Sequence, residues 1–338
     1  MSSLPIQSID DVRKLLKTLP GPNNEALAKA TMREPQLTKP PGSLGRLEEI
    51  SHWLAAWQGR HPPQIKNARA HVFAGNHGIA SKGVSAYPST VTEQMVGNFQ
   101  AGGAAINQLC KAFDISLKVD AMELDNPTAD FSESPAMSAF ETIKSICHGM
   151  DQVDETLDIL CLGEMGIGNT TSAAAICYAL YGGNAADWTG PGTGVEGKAM
   201  SAKTHIVSEA VKNHNCNDSL DVLMCLGGRE LAAIVGAIIA ARLKAVPVML
   251  DGFVCSAAAS VLEAKLPGAL DHCQVGHASS EPGHRRLLKR IKKIPLLDFE
   301  MRLGEASGAA LAVSVLKAAV SCHNGMATFT EAGVSDKK

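Results

Sequence analysis

The chain has 338 residues, 45% of them hydrophobic and 4% aromatic, with a formal net charge of −3. That is enough apolar material for one large α/β domain plus a smaller unit, and a pI near 6.4 leaves no basic surface that would argue for nucleic acid. No apolar run reaches the roughly 20 residues that span a bilayer. The N-terminus has no signal-like apolar core, and the nine Cys, scattered without a Cys-x-x-Cys, read as small buried thiols of a reducing cytosol.

Asp10 is placed to cap a first helix carrying Val12, Leu15, Leu16 and Leu19 at helical spacing, which Pro20-Gly21-Pro22 ends. A short helix is predicted near Glu25 to Thr31. The turn-rich Lys39-Pro40-Pro41-Gly42-Ser43-Leu44-Gly45 leads into another helix, with Ser43 as its cap and Leu47, Ile50, Leu54 and Trp57 on one side. His71 to Ala74 reads as a strand opening into Gly75-Asn76-His77-Gly78. His77 has no acid beside it in sequence, and a lone loop histidine is more often structural than catalytic. Thr90 and Glu93 have capping-box spacing for the helix after Pro88. Tyr87, just before it, is either a packing residue or a flat wall for an aromatic ligand. A helix over Ala104 to Phe113, a strand over Ile115 to Val119, a polar surface loop over Asp125 to Pro135 and a helix near Met137 to Cys147 follow.

Next comes the most informative stretch. Asp158 to Leu162 is a short apolar strand. It breaks at Gly163 into a loop with Glu164, Gly166, Gly168, Asn169, Thr170 and Thr171, and an Ala-rich helix resumes from about Ser172. Strand, Gly-rich loop and helix in this order aim free N–H groups and a helix N-terminus at an anion. The same pattern also serves as a ligand-free βα turn. Glu164 favours a ligand, since an acid inside an anion cradle suits a sugar hydroxyl beside a phosphate. No Lys follows the glycines as in a P-loop, and Gly-x-Gly-x-x-Gly is absent, so a phosphosugar is expected rather than a dinucleotide.

A second Gly-rich loop, Trp188 to Gly194, precedes a long helix from about Glu196 to Asn213. Lys203 on that helix could reach a phosphate at the neighbouring loop or simply face solvent. Val222 to Leu226, then Leu231 to Leu243, and Val246 to Leu250, then Ser256 to Leu266, read as two further strand–helix units. The alternation predicts a doubly wound, mainly parallel sheet with helices on both faces, and ligands at the carboxyl ends of its strands. Gly276 to His284 holds two His and a Glu, but Pro282 keeps the histidines off one regular helix and the spacing fits no standard zinc site. Glu305 sits at the start of a final apolar helix running to about Cys322. A first-turn Glu is commonly a partner of the helix dipole.

Lys39 to Gly45, Ala74-Gly75-Asn76-His77-Gly78, Gly83-Val84-Ser85-Ala86-Tyr87-Pro88, Gly163 to Thr171 and Arg302-Leu303-Gly304-Glu305 occur in this order in one chain. Together they closely resemble the nicotinate-nucleotide:dimethylbenzimidazole phosphoribosyltransferase family, over about Ile9 to Cys322. The resemblance implies a large α/β domain over 20–290 and a small helical domain from 1–19 and 291–338, in a homodimer. It implies that nicotinate mononucleotide and 5,6-dimethylbenzimidazole become α-ribazole 5′-phosphate and nicotinate. It places the general base on Glu305 and the phosphate and ribose site on Glu164, Gly166, Gly168, Asn169 and Thr170, with Lys203 and Ser279 as helpers. Tyr87, Gln94 and Leu303 then belong to the benzimidazole pocket. The expected partners are these small molecules, with no nucleic acid, membrane, cofactor or metal.

The chemistry is consistent with such a set. Nicotinate leaves ribose C1′ with the bonding electrons and loses its ring charge, so no acid need protonate it. No pyrophosphate departs, which removes the usual need for Mg²⁺. The incoming benzimidazole must lose a proton, a task for a carboxylate that the helix N-terminus is expected to keep ionised. A non-catalytic nucleotide binder is the alternative, and it would have no use for a base beside the sugar.

Overall fold

The computed structural model describes residues 6–335. In chain order the elements are α1 (Ile9–Leu16), α2 (Asn24–Arg33), α3 (Arg46–Gln58), β1 (Ala68–Ala74), α4 (Thr90–Ala101), α5 (Ala105–Phe113), β2 (Ser116–Ala121) and α6 (Ala139–Asp151). Then follow β3 (Ile159–Met165), α7 (Asn169–Tyr181), α8 (Gly197–Asn213), α9 (Ser219–Leu226), α10 (Arg229–Leu243), β4 (Val248–Leu250), α11 (Phe253–Lys265), β5 (Cys273–Val275), α12 (Pro282–Arg290), α13 (Ser307–Gly325) and α14 (Phe329–Ala332).

The five strands form one sheet in the order β2-β1-β3-β4-β5, every pair parallel. Apolar side chains alternate across it. Phe73, Leu160, Leu162, Val248 and Leu250 face a core built with α6, α7, α9, α10 and α11. Ala70, Val72, Ile159, Cys161 and Met249 face the other core, built with α3, α5 and α13. This is the doubly wound α/β arrangement that the alternating elements predicted, buried on both faces as parallel sheets require. Helix α10 is buried over nearly all its length. It meets α6 backbone to backbone: a Cβ on Gly149 would lie 1.8 Å from the Ala233 oxygen, and one on Gly236 1.9 Å from the Ile146 oxygen.

Several local expectations are corrected. Val222 to Leu226 is helical, not a strand. It is the end of α9, whose N-cap Asp218 accepts from the Leu220 and Asp221 N–H groups. A five-residue apolar run cannot by itself separate a buried strand from a buried helix, and the strand between β3 and β4 does not exist in the sheet. Conversely, β5 is only three residues long and carried no clear period. Ser8, not Asp10, caps α1, through a capping box with Asp11. Gly45, not Ser43, stands at the N-cap of α3. Thr90 and Glu93 form no capping box, because α4 already begins at Thr90 behind Ser89. Helix α7 starts at Asn169, one turn earlier than expected.

Candidate active site

The strand order reverses between β1 and β3, and there the loops diverge to opposite faces of the sheet, which leaves a crevice at the carboxyl ends. A cavity of about 270 Å³ occupies it. Seven of the sequence-expected residues line it: Tyr87, Glu164, Gly166, Asn169, Thr170, Ser279 and Leu303.

Glu164 lies on β3 rather than in the loop after it. Gly163 therefore does not break the strand. It is glycine because α13 enters here: a Cβ would sit 2.1 Å from the Ala306 nitrogen. Strand pairing fixes the Glu164 side chain at the cavity, where Asn169 Nδ2 donates to its Oε2. Burial, with Asp251 and Glu230 close by, pushes its carboxyl up to about 8. Gly166 is small because the loop crosses Gly75 and Asn169; a Cβ would lie 2.6 Å from the Gly75 oxygen. Gly168 caps α7 at φ 98°.

Glu305 comes from the far end of the chain and meets Glu164 through its backbone; it follows the lining residue Gly304 but, like Lys203, is not itself among the residues that line the cavity. Its backbone N–H donates to the Glu164 carbonyl at 3.2 Å. Glu305 and Ala306 both adopt left-handed backbone, each at φ 62°, so the chain turns sharply before α13. The Glu305 side chain is buried, and burial together with Asp251 raises its carboxyl to about 7. The expectation that the helix N-terminus would keep it ionised does not hold. The first free N–H groups of α13, at Gly308 and Ala309, are taken by Asp251 Oδ1.

Lys203 is not on a solvated face. It is 1% exposed, and its Nζ donates to Thr170 Oγ1 at 3.0 Å and to the Gly190 carbonyl at 2.9 Å. Burial lowers its ammonium to about 8. Behind it, Glu281 Oε1 accepts the Gly192 N–H at 2.9 Å and shapes the second Gly-rich loop. Thr193 ties that loop to the Tyr87 segment, through Ser85 Oγ at 2.8 Å and the Ala86 N–H at 3.1 Å. Gln94 is exposed on α4 and is not among the residues that line the cavity.

Two acids escaped sequence reasoning, Glu230 and Asp251. His77 does have a partner: its Nε2 lies 2.5 Å from Glu230 Oε1 and its Nδ1 3.1 Å from Ser172 Oγ, all buried beneath the Gly166 loop. Glu230 is 153 positions from His77, so no local signal could pair them. His277 lines the cavity, and Asp251 lies beside it, with 3.6 Å from His277 Nδ1 to Asp251 Oδ1. An acid at the end of an apolar strand, followed by glycine, was the available clue to Asp251.

A parallel α/β sheet with buried acids and one buried ammonium around a crevice at its switch point defines a nucleotide-handling enzyme of the transferase type. A phosphoribosyltransferase family model, DBI_PRT, matches residues 19–334, and the chain belongs to that family. The protein named nicotinate-nucleotide–dimethylbenzimidazole phosphoribosyltransferase from Rhizobium meliloti (strain 1021) is 55% identical over 97% of this chain and 98% of its own. The protein of the same name from Rhizobium johnstonii is 54% identical over 100% and 99%. The crystal structure of CobT from Thermus thermophilus superposes with a TM-score of 0.87 at 40% identity, covering 93% of this chain and all of that one.

Proposed function

We propose that this chain transfers the phosphoribosyl group of nicotinate mononucleotide to 5,6-dimethylbenzimidazole, releasing nicotinate and α-ribazole 5′-phosphate, a step of cobalamin lower-ligand assembly. The observation that carries the reading is the polarity of the cavity. Glu164 lines it and is joined through its backbone to Glu305, a second buried carboxyl, and the buried Lys203 ammonium is bonded to the lining residue Thr170 and to the Gly190 carbonyl.

The ammonium, the Thr170 hydroxyl and the α7 N-terminus suit the 5′-phosphate, a handle that fixes the sugar without touching C1′. Glu164, Gly166, Gly168 and Asn169 hold the ribose side, with Ser279 as a helper. The acidic side suits the positive charge that travels through the reaction. It starts on the nicotinate ring, passes to the ribosyl C1′ as the C1′–N bond breaks, and ends on the benzimidazole as the new bond forms. The carboxylate of Glu305, once it has given up its own proton, favours that charge most where it is least delocalised, in the transition state.

Glu305 is the general base. It accepts the proton from the benzimidazole nitrogen that is not attacking, and a base poised near neutrality is the efficient kind. Because the β-nucleotide gives an α-product, the attacking base and the departing nicotinate occupy opposite faces of the ribose. Tyr87 and Leu303, each 56% exposed, form the rim on the benzimidazole side, and a second copy of the chain covering that rim belongs to this reading. Incubating the protein with nicotinate mononucleotide and dimethylbenzimidazole, followed by chromatography, tests it. Ribazole phosphate with stoichiometric nicotinate is expected; a bound nucleotide without turnover would leave the non-catalytic binder.

A further inference from the structure

Asp251 directly follows β4 and is fully buried. Its Oδ1 accepts the N–H groups of Gly308 at 2.7 Å and Ala309 at 3.0 Å, in the first turn of α13. Its Oδ2 is buried without a hydrogen-bond partner, although buried carboxyl oxygens are nearly always satisfied. A residue serving only as a cap would present one oxygen and need no charge; Ser, Thr or Asn would do. Immediately before that turn stand Glu305 and Ala306, both left-handed, a conformation that non-glycine residues keep only where the surroundings hold it.

We propose that Asp251 is the positioning residue of Glu305: through the Gly308 and Ala309 N–H groups it clamps the left-handed corner that carries the base, and it sets a second buried acid beside that base. The inference rests on the reading of Glu305 as general base.

Asp251, directly after β4, acts on Glu305, and Glu164, on β3, feels Glu305 in turn; His277, after β5, lies beside Asp251, and Glu230, at the start of α10, acts on Glu164. Asp251 is the charged neighbour acting on both Glu164 and Glu305, and it is itself raised to about 7 by burial. His277 is held down, to about 4, by burial, so it offers no cation in the neutral range. Removing the Asp251 carboxyl is therefore expected to change the proton affinity of Glu305.

Asp251→Asn tests this, because it keeps the Oδ1 acceptor for both N–H groups and removes the charge. The readout is kcat against pH at saturating substrates, with wild type, Asp251→Asn and Glu305→Gln compared. Only differences between variants are read, since the same benzimidazole titrates in each. The expected result is an acid limb moved down by about one pH unit in Asp251→Asn, with KM for nicotinate mononucleotide unchanged. In Glu305→Gln that limb disappears. A limb in Asp251→Asn superimposable on wild type, while Glu305→Gln has lost it, overturns the inference and leaves the base standing. Glu305→Gln with a wild-type profile overturns the base itself. If Asp251→Asn and Asp251→Ser both fail to fold by circular dichroism, Asp251 belongs to the scaffold and the inference falls.

Discussion

Replacing Glu305 by Gln isolates proton abstraction from everything else the cavity does. Gln has the same length and shape, tolerates the same buried position, and leaves the backbone bond from residue 305 to the Glu164 carbonyl intact. What disappears is an acceptor raised to about 7. A positioned general base contributes roughly 10²–10⁴-fold, which corresponds to about 3–5 kcal/mol of barrier, and kcat is expected to fall by that factor. Binding of nicotinate mononucleotide, which the proposed reading assigns to Lys203 and the glycine loops, should change less than about threefold. The pH dependence has a defined sign: the base works deprotonated, so wild-type kcat drops about tenfold per pH unit below pH 7, and the variant should lack that drop. The assay is ribazole phosphate formation by chromatography across pH 5.5–9. A variant within tenfold of wild type that keeps its acid limb would refute the assignment.

Lys203→Met should raise KM for nicotinate mononucleotide by about 10–100-fold, the worth of a charge-assisted bond to phosphate, with a smaller change in kcat; an unchanged KM would place the phosphate elsewhere. Glu164→Gln should melt higher than wild type at pH 8 and lose that advantage near pH 4.5. The folded carboxyl is raised to about 8 from an ordinary 4.5, so the native state keeps a proton that the unfolded chain releases. Wild-type stability therefore declines as pH rises through that window. Scanning calorimetry at the two pH values decides it, and equal melting temperatures at pH 8 would show that the raised value is wrong. Gly304→Ala should impair both folding and turnover. Gly304 has φ 83°, and a Cβ there would lie 2.7 Å from Glu164 Oε1, so wild-type melting and activity together would mean the Glu164 side chain is free to move aside.

Much was legible in the order of residues. Apolar runs at β1 and β3 separated by helical patterns indicated a parallel sheet, because burial on both faces needs continuous apolar strands. The Gly163–Thr171 stretch, read as an anion-holding loop because glycines precede a helix start, supplies six of the residues that line the cavity. Those features depend on neighbours a few positions apart, and the side chains alone determine them. Where the code was local but short it misled: five apolar residues ending at Leu226 were a helix, and the cap moved from Thr90 to the preceding serine.

Only the tertiary structure decided the environment of each charged group. Gly163 is glycine because residue 306 crosses it, which keeps Glu164 on the strand. Lys203 is buried because the Gly190–Gly192 loop folds over it. His77 acquires its acid from 153 positions away. The N–H groups at the head of α13 go to Asp251, directly after another strand, rather than to Glu305. Desolvation and charge proximity set proton affinity, and both are properties of the packed chain, so no reading of the sequence by itself could have raised Glu305 toward neutrality.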